Sequence, residues 1–200
     1  MSLPLDHIIV AVGEQLDQAV DDYRALGFTV NIGGVHASGA THNALIWFED
    51  KSFIELMALT GHDPKPGEAD YSPLVRGRTG VTGYALRSDD IVMDVDTWRS
   101  RGVSVDDPVE SGRLRPDGMR LRWSIATVSG GYTPFLVQYL EPAESVRAPR
   151  DVRVITHANG VTGLCHVDLR VGEVLLKAAQ TPNFDAGKTH GVTYRFRPTC

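Results

Sequence analysis

Cysteine is scarce in this chain of 200 residues: only Cys165 and Cys200 occur, too few for a disulfide framework and in keeping with a reducing compartment. No apolar run approaches the length of a membrane span, and the N-terminus has no basic stretch leading into an apolar segment with a small-residue cleavage site. The expectation is a cytoplasmic protein with no membrane partner. Positive charge is not in surplus either. Lys and Arg number 20 against 25 Asp and Glu, a formal net charge of -5, so the electrostatic footprint that tracks phosphates is missing and nucleic acid is not an expected partner. The chain also lacks a phosphate-binding loop ending in Lys-Ser or Lys-Thr, a dinucleotide fingerprint, a Gly-x-Ser-x-Gly elbow and any Cys-x-x-Cys pair, which removes those reaction classes.

What is present starts with His7, set inside the apolar run Leu5-Asp6-His7-Ile8-Ile9-Val10, and Glu55, set inside Phe53-Ile54-Glu55-Leu56-Met57. A carboxylate flanked by large apolar residues loses hydration when its strand is buried, and that loss is tolerable only with a charged partner, hydrogen bonds or a metal. His7 is the nearest candidate to share such a metal.

Leu5 to Val12 reads as a central strand, apolar on both faces. Leu16, Ala19, Val20, Tyr23 and Leu26 recur at helical spacing, Gly27 follows as a C-cap, and Phe28-Thr29-Val30 reads as the next strand. A Gly-rich loop holding His36 comes next, then Ala44 to Phe48 and Phe53 to Leu59 as a hairpin. The first module, residues 1–60, is therefore βαβββ. Residues 61–79 are rich in Pro and Gly and read as a surface connector. A second βαβββ module follows over 80–142: Val81 to Arg87 as a strand, Ser88 or Asp89 as N-cap, and Val92, Val95 and Trp98 as a helix stripe closed by Gly102. It ends with Met119 to Val128 and Phe135 to Leu140 as strands after the turn Arg115-Pro116-Asp117-Gly118. Residues 143–200 form an extension expected on the outside, with Val161 to Val171 a strand, Glu173 to Gln180 a short helix and Val192 to Phe196 a last strand.

This order of segments, with Thr41-His42-Asn43-Ala44-Leu45 before the third strand, Phe53-Ile54-Glu55-Leu56 on the fourth and Thr133-Pro134-Phe135-Leu136-Val137-Gln138-Tyr139 closing the second module, resembles the glyoxalase-like proteins of the vicinal oxygen chelate superfamily. The resemblance covers about residues 3 to 142, and His157-Ala158-Asn159-Gly160 opening a partial third module fits one of its subgroups. It implies an α+β fold in which two βαβββ modules curl their sheets into an open cup. By that resemblance His7, Glu55 and Gln138 match metal-ligand positions, whereas Gly83, or else Tyr84, stands where the family's metal enzymes commonly have histidine. A divalent ion (Zn, Ni, Mn or Fe) would stabilise oxygen anions of a small oxygenated substrate. The activity implied is a lyase, an isomerase or an oxygenase. The alternative is a metal-free protein that binds or sequesters small molecules, of the bleomycin-resistance type. A homodimer is the expected assembly.

Glu55 has a second role open to it, as general base, because desolvation raises a carboxyl pKa. Gln138 either enters the cup or satisfies backbone groups at an edge. His42 and Asn43 are read as substrate-binding, as is Arg122, which shares a strand face with Arg120. If that face lines the cup the two bind an anionic group such as a carboxylate, and if not it is a charged outer face. His36 reads as solvated.

Overall fold

A computed structural model describes residues 3–129, 131, 133–140 and 152–200. The first module comprises β1 (Leu5–Ala11), α1 (Leu16–Ala25), β2 (Asn31–His36), β3 (Thr41–Trp47) and β4 (Phe53–Leu59). The second comprises β5 (Gly80–Arg87), α2 (Ile91–Ser100), β6 (Val109–Leu114), β7 (Arg120–Thr127) and β8 (Phe135–Tyr139), and the tail adds β9 (Val161–Asp168), β10 (Glu173–Ala178) and β11 (Thr193–Arg197). The eight strands of the modules form one mixed sheet that closes on itself in the order β1-β4-β3-β2-β6-β7-β8-β5. β1 lies between β4 and β5, as a strand apolar on both faces should. The join between β2 and β6 is the thinnest, with Val35 opposite Leu114 and His36 opposite Arg113.

Several local expectations shift. The second strand lies at Asn31–His36, so the Gly-rich stretch is itself paired to β3, and Phe28 turns into the core instead. Asp90, not Ser88 or Asp89, caps α2 by accepting from Met93 N, and Ile91 replaces the exposed Val92 on the buried stripe. Glu173 to Ala178 is a strand: helix-forming residues are overridden by pairing with β9 on one side and β11 on the other.

The tail's three-stranded sheet covers α1 and the outer face of the first module, burying Val161, Leu164, Val174 and Leu176 in one core with Ile8, Val20, Ile46 and Leu56. His157 fastens the entry to that sheet, accepting from Thr29 N at 3.0 Å and donating to Trp47 O at 2.9 Å. The two cysteines, read as a mark of a reducing compartment, lie together as a Cys165–Cys200 disulfide with Cα atoms 5.0 Å apart. The boundary placed between 142 and 143 falls outside the described residues. Among the described residues no helix is long and apolar enough to cross a membrane.

The connector departs most from expectation. Tyr71, Leu74 and Val75 are buried and pack with Ile9, Ala85 and Phe135 inside the barrel. Its Pro- and Gly-rich flanks are turns that carry an apolar plug inward. The remaining interior is a cavity of ≈ 570 Å³, counted with the solvent space at its open mouth.

Candidate active site

Alternation along four strands aims the polar groups into this cavity. Asn43, Leu45 and Trp47 of β3 line it, as do Phe53, Glu55 and Met57 of β4, His7 and Ile9 of β1, and His36 at the end of β2. Glu55 sits at their centre, only 5% exposed. Asn43 Nδ2 donates to its Oε1 at 2.6 Å, His36 Nε2 stands 3.4 Å from the same oxygen, and His7 Nε2 stands 3.5 Å from Oε2. Burial pushes the Glu55 carboxyl up, but the hydrogen bond from His36, the charges of His7 and His36 and the Asn43 amide outweigh it and hold the pKa at about 2. Desolvation therefore does not prepare Glu55 as a general base. It is a fixed anion.

His7 has a second carboxylate behind it. Asp6 Oδ2 lies 2.9 Å from His7 Nδ1 and accepts from the Tyr139 hydroxyl at 2.8 Å. Successive strand residues ordinarily point to opposite faces, but the β1–β5 register shifts between Leu5 and His7, and this bulge brings Asp6 to the same side. A carboxylate can only accept, which puts a proton on His7 Nδ1, while Nε2 faces the cavity beside Glu55 Oε2. The ring is held by stacking on Phe53, centroids 4.5 Å apart, and by the edge of Phe135.

His36 is buried rather than solvated, bonded through Nδ1 to Thr41 Oγ1 at 2.8 Å and packed against Tyr71. Burial drives the Tyr71 phenol up to about 12, so it stays protonated while accepting from Trp123 Nε1 at 3.0 Å. Arg113 enters from β6 and donates through Nη1 to Asn43 Oδ1 at 3.0 Å.

The structure thus brings together His7, Glu55 and Asn43, and adds Asp6, His36 and Arg113. It separates the others. Gln138 lies on the outer face of β8, accepting from Ile91 N at 3.1 Å and donating to Asp89 O at 2.8 Å, so it holds the start of α2 and cannot be a ligand in the cup. Phe135, Val137 and Tyr139 are the β8 residues that face inward. His42 alternates with Asn43 onto the helix side, where burial lowers its pKa and Asp17 opposes the shift, so it is no cavity residue. Arg122 lies on the outer face of β7 with Glu110 4.0 Å away, while Leu121 and Trp123 face in. The signal for Gln138 was available: in an alternating strand it cannot share a face with Phe135 and Val137.

The metal set implied by the resemblance does not close. A side chain at Gly83 would meet Leu74 and Thr133, Gln138 points away, and among the described residues no three His, Cys, Asp or Glu side chains are disposed to hold an ion. His7, His36 and Glu55 engage one another, Asp6 and Asn43 instead.

A family profile described as a glyoxalase-like domain matches residues 5–181. No curated protein matches the chain. A solved hypothetical protein from Staphylococcus aureus is similar at TM-score 0.71 and 17% identity, covering 99% of this chain and 100% of its own. A hypothetical protein from Bacillus halodurans C-125 follows at TM-score 0.52 and 19% identity over 72% of this chain and 99% of its own. A methylmalonyl-CoA epimerase from Streptomyces coelicolor, in complex with 2-nitronate-propionyl-CoA, aligns at TM-score 0.47 and 26% identity over 74% of this chain and 100% of its own. The first two share the fold; the profile, which spans most of the chain, shows that this protein belongs to the glyoxalase-like domain family.

Proposed function

We propose that the protein is an enzyme of the isomerase or lyase type that moves a proton at the carbon beside a carbonyl in a small oxygenated metabolite. The observation that carries this reading is the Asp6–His7 pair: in the neutral ring Nε2 is the unprotonated nitrogen and faces the cavity, and Glu55 Oε2, 3.5 Å away, balances the charge the ring gains with a proton. In the step, the substrate C–H bond breaks, its electron pair moves onto the carbonyl oxygen as an enolate, and an N–H bond forms at His7 Nε2. The proton then returns to the same or the neighbouring carbon, or the enolate expels a leaving group. Asp6 orients the ring, as a carboxylate behind an imidazole does in other enzymes. His36 holds the Glu55 carboxylate in place, and the apolar walls from Phe53, Leu121 and Phe135 exclude water from the enolate.

Hydrogen–deuterium exchange at carbon, followed by NMR in D2O over a panel of 2-oxo acids and neutral ketones, tests the reading. Exchange by the wild type that falls by about 10²–10⁴ in His7→Gln supports it; equal exchange in both proteins overturns it. The largely apolar lining favours a second reading, a binding or sequestering protein, which is the outcome if compounds bind and none exchanges. Pairing with a second copy belongs to the same proposal, since Val35 and Leu114 stand opposite each other and exposed across the β2–β6 join.

A further inference from the structure

Arg113 is the one cationic side chain among the residues lining the cavity apart from the imidazoles, and it is nine-tenths buried. A guanidinium carries five N–H donors in a rigid fork. Here Nη1 serves Asn43 Oδ1, and among the described residues no carboxylate lies within 4.0 Å of the group. The Glu55 anion attracts it from a distance, yet both Glu55 oxygens are engaged by His7, His36 and Asn43. Taking a charge out of water without a partner costs several kcal/mol, and such groups are normally paired or hydrogen-bonded to completion. The fold also clears space for this arrangement. Gly33 of β2 lies where a Cβ would overlap both Asn43 Oδ1 and Arg113 Nη1, so the absence of a side chain there is what admits the pair.

We infer that the molecule held in the cup is a small carboxylate and that Arg113 binds its carboxyl group. A bidentate Arg–carboxylate contact serves donors that Asn43 leaves over and brings an anion into direct contact with the guanidinium. Joined to the proton transfer proposed above, on which this step rests, the inference makes the substrate class an oxo acid: carboxylate on Arg113, and the carbon beside the carbonyl toward His7. Arg113 sits across the β2–β6 join, opposite His36 in register, which places the anion-binding group and the imidazole on adjoining strands.

Pyruvate and its neutral amide, pyruvamide, form a matched pair of probes. Trp47 and Trp123 line the cavity, so binding is read from tryptophan fluorescence, and methyl-proton exchange of the same compounds in D2O is read by NMR. The wild type should bind pyruvate at least about 10-fold more tightly than pyruvamide, the range of a charge-assisted hydrogen bond. Arg113→Gln should abolish that preference, Arg113→Lys should keep part of it, and Gly33→Ala should weaken it by displacing the guanidinium. The wild-type comparison stands even where a variant does not fold. Equal affinity for acid and amide, or failure of pyruvate to bind, overturns the carboxylate assignment. Preferential binding of pyruvate without exchange of its methyl protons leaves the assignment standing and counts against the proton transfer, whereas equal exchange of both compounds does the reverse.

Discussion

Across the first half of the barrel, strands β1 to β4 turn His7, His36, Asn43 and Glu55 into the cavity, while β5 to β8 turn in Leu121, Trp123, Phe135 and Val137 with no carboxylate or imidazole. The halves share a βαβββ plan but not an interior. In the second half Gly83 leaves room that Leu74 occupies from the connector, and Tyr71 and Val75 extend the plug. The difference teaches that a repeated fold need not repeat its interior chemistry: one half holds the imidazoles and the carboxylate, and the other contributes walls, a plug and a single cation.

The largest effect that would break this division is on turnover. His7→Gln should cut carbon-bound proton exchange by about 10²–10⁴, and an unaffected rate in the folded variant would mean that the chemistry lies elsewhere. Truncating the plug should act on stability instead. Leu74→Ala removes a fully buried side chain and should cost about 2–5 kcal/mol in a denaturant titration; a change under about 1 kcal/mol would show that the second half is not closed by the connector.

Glu55 sharpens the contrast through pH. Its carboxyl is held at about 2 against an ordinary 4.5, so the stabilisation it provides is fully present above about pH 4.5 and is lost as pH falls toward 2. Relative to wild type, Glu55→Gln should flatten the acid-side loss of stability by on the order of 3 kcal/mol. Parallel curves for the two proteins would refute the network around Glu55. Smaller still, Gln138→Ala should destabilise by about 1 kcal/mol through the start of α2 while leaving pyruvate binding alone. Arg122→Ala, on the outer face, should change stability by less than about 0.5 kcal/mol and binding not at all.

Much of the first half was legible because its polar residues interrupt strongly apolar strands. His7 and Glu55 stand out against Ile, Leu and Met, and Asn43 follows from the string around it. His36 was hidden by the glycines on either side, which look like a loop until β3 pairs with them. Arg113 lies in Val109–Leu114, a segment so polar that its strand does not announce itself, and its role depends on a partner strand far away in sequence. Asp6 was concealed by the rule that neighbours in a strand face apart, which the bulge suspends. The plug was masked by Pro64, Pro66, Pro73 and Gly67 around it, although Tyr71, Leu74 and Val75 are an apolar trio unsuited to a solvated link. In the tail, composition favoured a helix where strand pairing across β9 and β11 decided the outcome.

The narrow join between β2 and β6 carries a consequence for how such a protein can change. His36 and Arg113 face each other in register there, one from each duplicated half. A mutation that slid this short ladder by a single residue would turn one of the two side chains outward and part the pair, so the pocket's polar lining is staked on the weakest stitch in the wall.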